Sequence, residues 1–186
     1  MAAVQDSVVA PRRGYFGIGL ENISKPMNAG NLLRSAHAFG ASFFFTIGAR
    51  FEPRSAPADT SRAPAHLPVY AWEGLDDMVL PEGCSLVGVE LLEEAVPLPS
   101  FHHPTRAAYV LGPERGSLSP ALLERCDHVV KIPSAFCINV ATAGAIVMYD
   151  RIRVLGRFPD RPVSVNAVPL PRTGHVHGKP KRRRKQ

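Results

Sequence analysis

An α/β protein, built on a parallel sheet with helices on both sides, is what this sequence predicts, and three observations carry the prediction. Apolar runs such as Phe43 to Ile47 and Ala107 to Leu111 lack the alternation of a half-exposed strand and suit strands covered on both faces. Segments with helical periodicity fall between those runs. Val129 to Ile152 condenses the pattern: a β-branched run stopped by Pro133, a tight loop, and a long apolar helix starting near Cys137.

Taken in order, residues 1–13 read as unstructured and Tyr15 to Leu20 as a first strand. Asn31 to Phe39 has helical spacing, with Leu32, Leu33, Ala36 and Phe39 on its apolar side and Gly40 as its C-terminal cap. Ser42 to Ile47 is a second strand. Residues 48–68, rich in Pro, Ala, Ser and Arg, form a long loop of the kind that often carries function. Val69 to Trp72 reads as a short strand, Gly74 to Val79 as a short helix, and Ser85 to Leu91 as a third main strand. The connection from Glu93 to Arg106 holds His102 and His103, which read as surface residues and not metal ligands because no partner has ligand spacing. Ala107 to Leu111 is a buried strand. Ser119 then caps a short helix over 120–126 that has Pro120 at its first position. The closing helix is apolar on several faces, and its small residues Ala141, Ala143, Gly144 and Ala145 admit another backbone closely.

A chain of 186 residues is long enough for one sizeable core. Its three cysteines, Cys84, Cys126 and Cys137, form no CxxC pair, so neither a disulfide framework nor a zinc site is indicated. No apolar run approaches membrane-spanning length and the first residues carry no address signal, which together point to a reducing, cytoplasmic home and no membrane. The net charge of +6 is lopsided: seven of the 22 basic residues lie between Arg172 and Lys185 with no acid among them, leaving 15 against 16 acids in the rest. The expected organisation is therefore an unstructured 1–13, a globular 14–158, and a basic, largely disordered tail over 159–186. That tail attracts polyanions without reading sequence, or simply solubilises the chain.

In parallel sheets, ligands gather at the carboxyl ends of the strands. This rule brings Glu90, Leu111 to Glu114 and Ile132 to Asn139 together, with Asn28 to Arg34 approaching the same edge. Asn139 opens the last helix, where it either caps the helix or faces a ligand. The Gly-x-Gly of residues 17–19 lacks the third glycine of a dinucleotide site, so a Rossmann-type enzyme is disfavoured.

Three segments together resemble the SpoU/TrmH family of RNA methyltransferases, within the SPOUT superfamily. Asn28-Ala-Gly-Asn-Leu-Leu-Arg34 is similar to an Asn-x-Gly-Asn-x-x-x-Arg motif, one residue tighter. Leu111-Gly-Pro-Glu114-Arg-Gly-Ser-Leu-Ser is similar to Leu-Gly-x-Glu-x-x-Gly-Leu-Ser, with Ser117 at the later glycine. Ile132-Pro133 followed by Cys137-Ile138-Asn139-Val140 is similar to Ile-Pro-Met followed by Ser-Leu-Asn-Val, with a shorter loop and Cys137 where Ser is common. The likeness covers roughly Tyr15 to Leu155.

It implies a SPOUT-type α/β knot, a deep trefoil, with S-adenosylmethionine as cofactor, no metal, and a homodimer packed through the C-terminal helix. The implied activity is ribose 2′-O-methylation of tRNA or rRNA; the alternative is an inactive SPOUT-fold protein that binds RNA or the ribosome. Arg34, Asn28, Glu114 and Asn139 are then the catalytic residues, and Glu90, Leu111, Gly112, Ile132, Cys137 and Ile138 the cofactor contacts. Arginine, with a pKa above about 12, is a poor base, so Arg34 is expected to stabilise the developing alkoxide and grip the adjacent phosphate. Glu114 either accepts backbone amides or approaches the substrate. RNA contacts are expected from Arg50, Arg54 and Arg62 and from the terminal Lys179, Lys181, Arg182, Arg183, Arg184 and Lys185.

Overall fold

A computed structural model describes residues 14–51 and 63–156 of the chain. Its seven strands are β1 (Tyr15–Glu21), β2 (Phe43–Ile47), β3 (Val69–Trp72), β4 (Ser85–Val89), β5 (Val96–Pro97), β6 (Arg106–Leu111) and β7 (His128–Lys131). They form one sheet in the order β3-β2-β1-β6-β4-β7-β5, and every neighbouring pair is parallel. All the carboxyl ends therefore lie along one edge. Among the described residues three α-helices accompany the sheet: α1 (Pro26–Phe39), α2 (Pro120–Arg125) and α3 (Val140–Leu155). No helix is long and apolar enough to cross a membrane among the described residues.

The continuous apolar strands are explained by a core on each side. Phe44, Ile18 and Tyr109 face α1 and α3, packing with Leu32, Val147 and Met148. Phe43 and Phe45 face the opposite way, with Val110, Leu118 and Leu122 around α2. Each buried phenylalanine contributes roughly 1.5–3 kcal/mol. Gly17 and Gly19 leave room for those rings: a Cβ on Gly19 would stand 2.4 Å from the Phe45 ring. In α3 the small residues serve the chain's own core, since a Cβ on Gly144 would meet Leu32 of α1 at 2.3 Å. Ile146, Tyr149 and Val154 are the large apolar residues exposed on α3.

Several boundaries differ from the expected ones. Helix α1 starts at Pro26, five residues before Asn31, because Lys25 is extended and proline takes the first helical position, where its missing N–H costs nothing. Helix α3 starts at Val140, not near Cys137, because Asn139 caps it. The expected helix over 74–79 is a single 3-10 turn at Leu75–Asp77. Strand β4 ends at Val89, short of Leu91, and β5 is a two-residue edge strand inside the expected connection.

His103 is buried, contrary to the surface reading; only His102 is exposed. Its Nε2 lies 3.0 Å from Asp150 of α3 and its Nδ1 2.6 Å from the Tyr109 hydroxyl, which also accepts from the buried Arg151 at 3.1 Å. Burial pushes the His103 pKa down despite Asp150. The neutral ring then donates to Asp150 and accepts from Tyr109, so every polar group is paired. This network ties α3 to the sheet at the edge opposite the strands' carboxyl ends.

Because Phe45 is fully buried and flanked by Phe43 and Trp72, it has little room to yield. Gly19→Ala is expected to cost about 1–3 kcal/mol by overpacking, read as a lowered midpoint in urea unfolding.

Candidate active site

The carboxyl ends of β4, β6 and β7 each release a loop, and the three loops enclose a cavity of about 430 Å³. Its apolar wall includes Leu111, Ile132 and Ile138; its polar mouth is formed by Lys25, Asn28, Glu114 and Asn139. Glu90, Gly112 and Cys137 line it as well, so all six residues read from the sequence as cofactor contacts border one space. Gly112 must be small, because a Cβ there would sit 3.1 Å from the Leu118 backbone nitrogen.

A chain of hydrogen bonds joins the three motif segments. Asn28 donates through Nδ2 to Glu114 Oε1 at 3.0 Å and accepts at Oδ1 from Asn139 Nδ2 at 3.1 Å. Asn139 then uses its own Oδ1 to accept from the Ala141 amide at 2.9 Å, capping α3. Its two expected roles are thus combined: it caps the helix and lines the cavity. The polarity is consistent from end to end, since a carboxylate can only accept and helix amides can only donate.

Glu114 also accepts from Ser24, through both the backbone amide and the hydroxyl, and from the Lys25 amide at 3.1 Å. Partial burial alone would raise its pKa, but hydrogen bonds from its own backbone and from Asn28 and Ser24 outweigh that and hold it below the ordinary carboxylate value. Glu90 has a similar duty, accepting from the amides of Leu91 and Leu118 at 2.8 Å each. Buried Glu21 anchors α2 by accepting from the Ser119 amide at 2.7 Å. Cys137 is exposed on the short loop, where the Ser134 hydroxyl lies 3.0 Å from the Phe136 carbonyl.

Arg34 is not brought to this cavity. Six residues beyond Asn28, it is turned about 240° around α1, and it stands exposed with no hydrogen bond or ion pair to another described residue. Arg50 lies on the rim of an adjoining groove. Arg54, Arg62 and the basic residues of 179–185 lie outside the described residues. Sequence reasoning missed Lys25, whose only signal was the Lys-Pro step before α1. Among the described residues no cluster of side chains is fit to hold a metal ion.

The SpoU rRNA Methylase family model matches residues 15–149. The chain belongs to this family. Within 152 residues it is 30% identical to a tRNA (guanosine(18)-2'-O)-methyltransferase of Mus musculus, spanning 72% of this chain and 9% of that protein. It is 26% identical over 157 residues to a 23S rRNA (uridine(2479)-2'-O)-methyltransferase of Streptomyces viridochromogenes, spanning 76% of this chain and 54% of the relative. The chain thus covers about half of one relative's length and a small part of the other's. The fold matches that of an AdoMet-bound rRNA methyltransferase from Sinorhizobium meliloti, with TM-score 0.69, 21% identity, and coverage of 79% of this chain and 59% of that one. It also matches a SpoU methyltransferase from Streptomyces viridochromogenes in complex with AdoMet, with TM-score 0.67, 23% identity, and coverage of 80% and 64%.

The hydrogen-bond chain leads to a stability test. Asn28→Leu, which strands Glu114 and Asn139 without their shared partner, should cost about 1 kcal/mol in urea unfolding. The folded pKa of Glu114 is depressed, so its contribution is present above the unfolded value and is lost as pH falls through the folded one. Glu114→Gln should therefore be less stable than wild type at pH 7, with the gap closing below about pH 4.

Proposed function

We propose that the protein is an S-adenosylmethionine-dependent RNA methyltransferase that modifies a ribose 2′-hydroxyl in tRNA or rRNA. The observation that carries this reading is the cavity in which three separated motifs meet, with Asn28, Glu114 and Asn139 hydrogen-bonded at its mouth. Family membership and the names of the relatives, which methylate the ribose of tRNA and of rRNA, support it.

The cavity fits S-adenosylmethionine: Leu111, Ile132 and Ile138 offer apolar surface to an adenine, and Gly112 lets the loop at Ser117–Leu118 lie close behind that wall. When bound, the cofactor supplies an electrophilic methyl group on a sulfonium. The rest is positioning and charge. Glu114, engaged by four donors, acts as a positioning residue and not as a base; it fixes the loop that carries Gly112. Asn28 and Asn139 orient the ribose at the mouth. Arg34 stabilises the alkoxide as the 2′-hydroxyl proton passes to a phosphate oxygen, which avoids asking a guanidinium to be a base.

An exposed Arg34 that is unpaired among the described residues and lies off the cavity of its own chain has a ready use in a homodimer. Helices α1 and α3 pack side by side, and α3 presents Ile146 and Tyr149 outward. Pairing through that face would let Arg34 serve the partner's site. The trefoil crossing of the loop after Ile132 and a cytoplasmic location belong to the same reading.

The test is methyl transfer to unmodified RNA, with ribose methylation mapped in the product. Arg34→Ala should reduce kcat by about 10²–10³-fold with cofactor affinity unchanged. Mixed dimers of Arg34→Ala and Asn139→Ala should recover activity that neither variant has alone. Failure of the mixture to recover activity would place Arg34 in its own chain's site, and wild type that binds cofactor and RNA without transfer would overturn the enzymatic reading.

A further inference from the structure

We infer that the groove beside the cavity, framed by Lys25, Arg50 and Arg115, is a binding site for the RNA backbone phosphates that flank the modified nucleotide. The inference rests on the methyltransferase reading above and specifies how its substrate is held. The groove measures about 560 Å³ and shares Lys25, Pro113 and Glu114 with the cavity, so the two spaces adjoin across these residues. The cations come from three loops at one sheet edge: Lys25 follows β1, Arg50 follows β2 and Arg115 follows β6. No sequence run links them. The parallel topology alone brings them together.

Their charge is unspent. All three side chains are exposed, and none is ion-paired to another described residue. The one carboxylate in the groove, Glu114, is already occupied by donors from Ser24, Lys25 and Asn28. This local excess stands out because residues 1–171 as a whole carry 15 basic against 16 acidic side chains. Gathering cations in a near-neutral body costs repulsion, which a bound polyanion relieves. Guanidinium groups suit phosphate oxygens through paired N–H donors. A phosphate in this groove sits one wall away from the Asn28–Asn139 mouth, the relation needed to steer a neighbouring ribose into the cavity. Arg50 and Arg115 do not line the cavity itself, so they can be changed without touching the cofactor.

The experiment measures binding of unmodified single-stranded RNA as a function of KCl concentration, for full-length wild type, Arg50→Gln/Arg115→Gln and Arg50→Lys/Arg115→Lys, with S-adenosylmethionine affinity measured in parallel. Each lost phosphate contact lowers the salt slope by about 0.7, so the glutamine pair should lower it by about 1.4 and weaken binding. The lysine pair should keep the wild-type slope, and cofactor affinity should be the same in all three. If the glutamine pair keeps the wild-type slope while wild type binds RNA and transfers methyl, the groove is not a phosphate site and the enzymatic reading stands. If wild type binds cofactor but neither binds RNA nor methylates it, both readings fall.

Discussion

The side-chain amide of Asn28 is the interaction on which the site depends. It must donate in one direction and accept in the other, because Glu114 can only accept and Asn139, with its oxygen given to α3, has only donors left. Aspartate here would face Glu114 with like charge, and an aliphatic residue would leave both neighbours without their bond. One amide thus registers α1, the loop after β6 and the start of α3 against one another. The cavity is the space those three segments leave.

The rest of the fold brings that amide into range. A parallel sheet collects every loop of interest at one edge, and the two-sided core fixes the strands beneath them. Gly144 allows α3 to lie close against Leu32, which sets the distance between Asn28 on α1 and Asn139 at the head of α3. At the far edge the His103, Tyr109, Asp150 and Arg151 network holds the other half of α3. The helix that closes the cavity is secured at both ends, by an asparagine cap and by a buried polar cluster.

The α/β class and five of the seven strands are legible in the sequence because strands covered on both faces read as unbroken apolar runs, as Phe43 to Ile47 does. Val69 to Trp72 is legible too, through its aromatic residues. Two-residue β5 carries no such signal; pairing with β7 makes it a strand. The start of α1 is set by Pro26, a one-residue feature that periodicity does not weigh. His103 looked like a surface residue because nothing local shows that Tyr109, Asp150 and Arg151 converge on it. Motif spacing brought Asn28, Glu114 and Asn139 to one cavity, whereas helical geometry took Arg34 away from it. Lys25 and Arg115 meet Arg50 only in three dimensions.

Membership of the SpoU family accounts for the motifs, and the hydrogen-bond chain gives a physical reason for their residue types. The most direct measurement is calorimetric titration of S-adenosylmethionine into wild type, Glu114→Gln, Asn139→Ala and the double variant. If the chain through Asn28 forms the cavity, wild type binds, each single change weakens binding, and the double change adds little, because either break releases the same loops. Such a cycle should give a coupling of about 0.5–3 kcal/mol. Fully additive losses, or a folded wild type that does not bind the cofactor, would contradict the account.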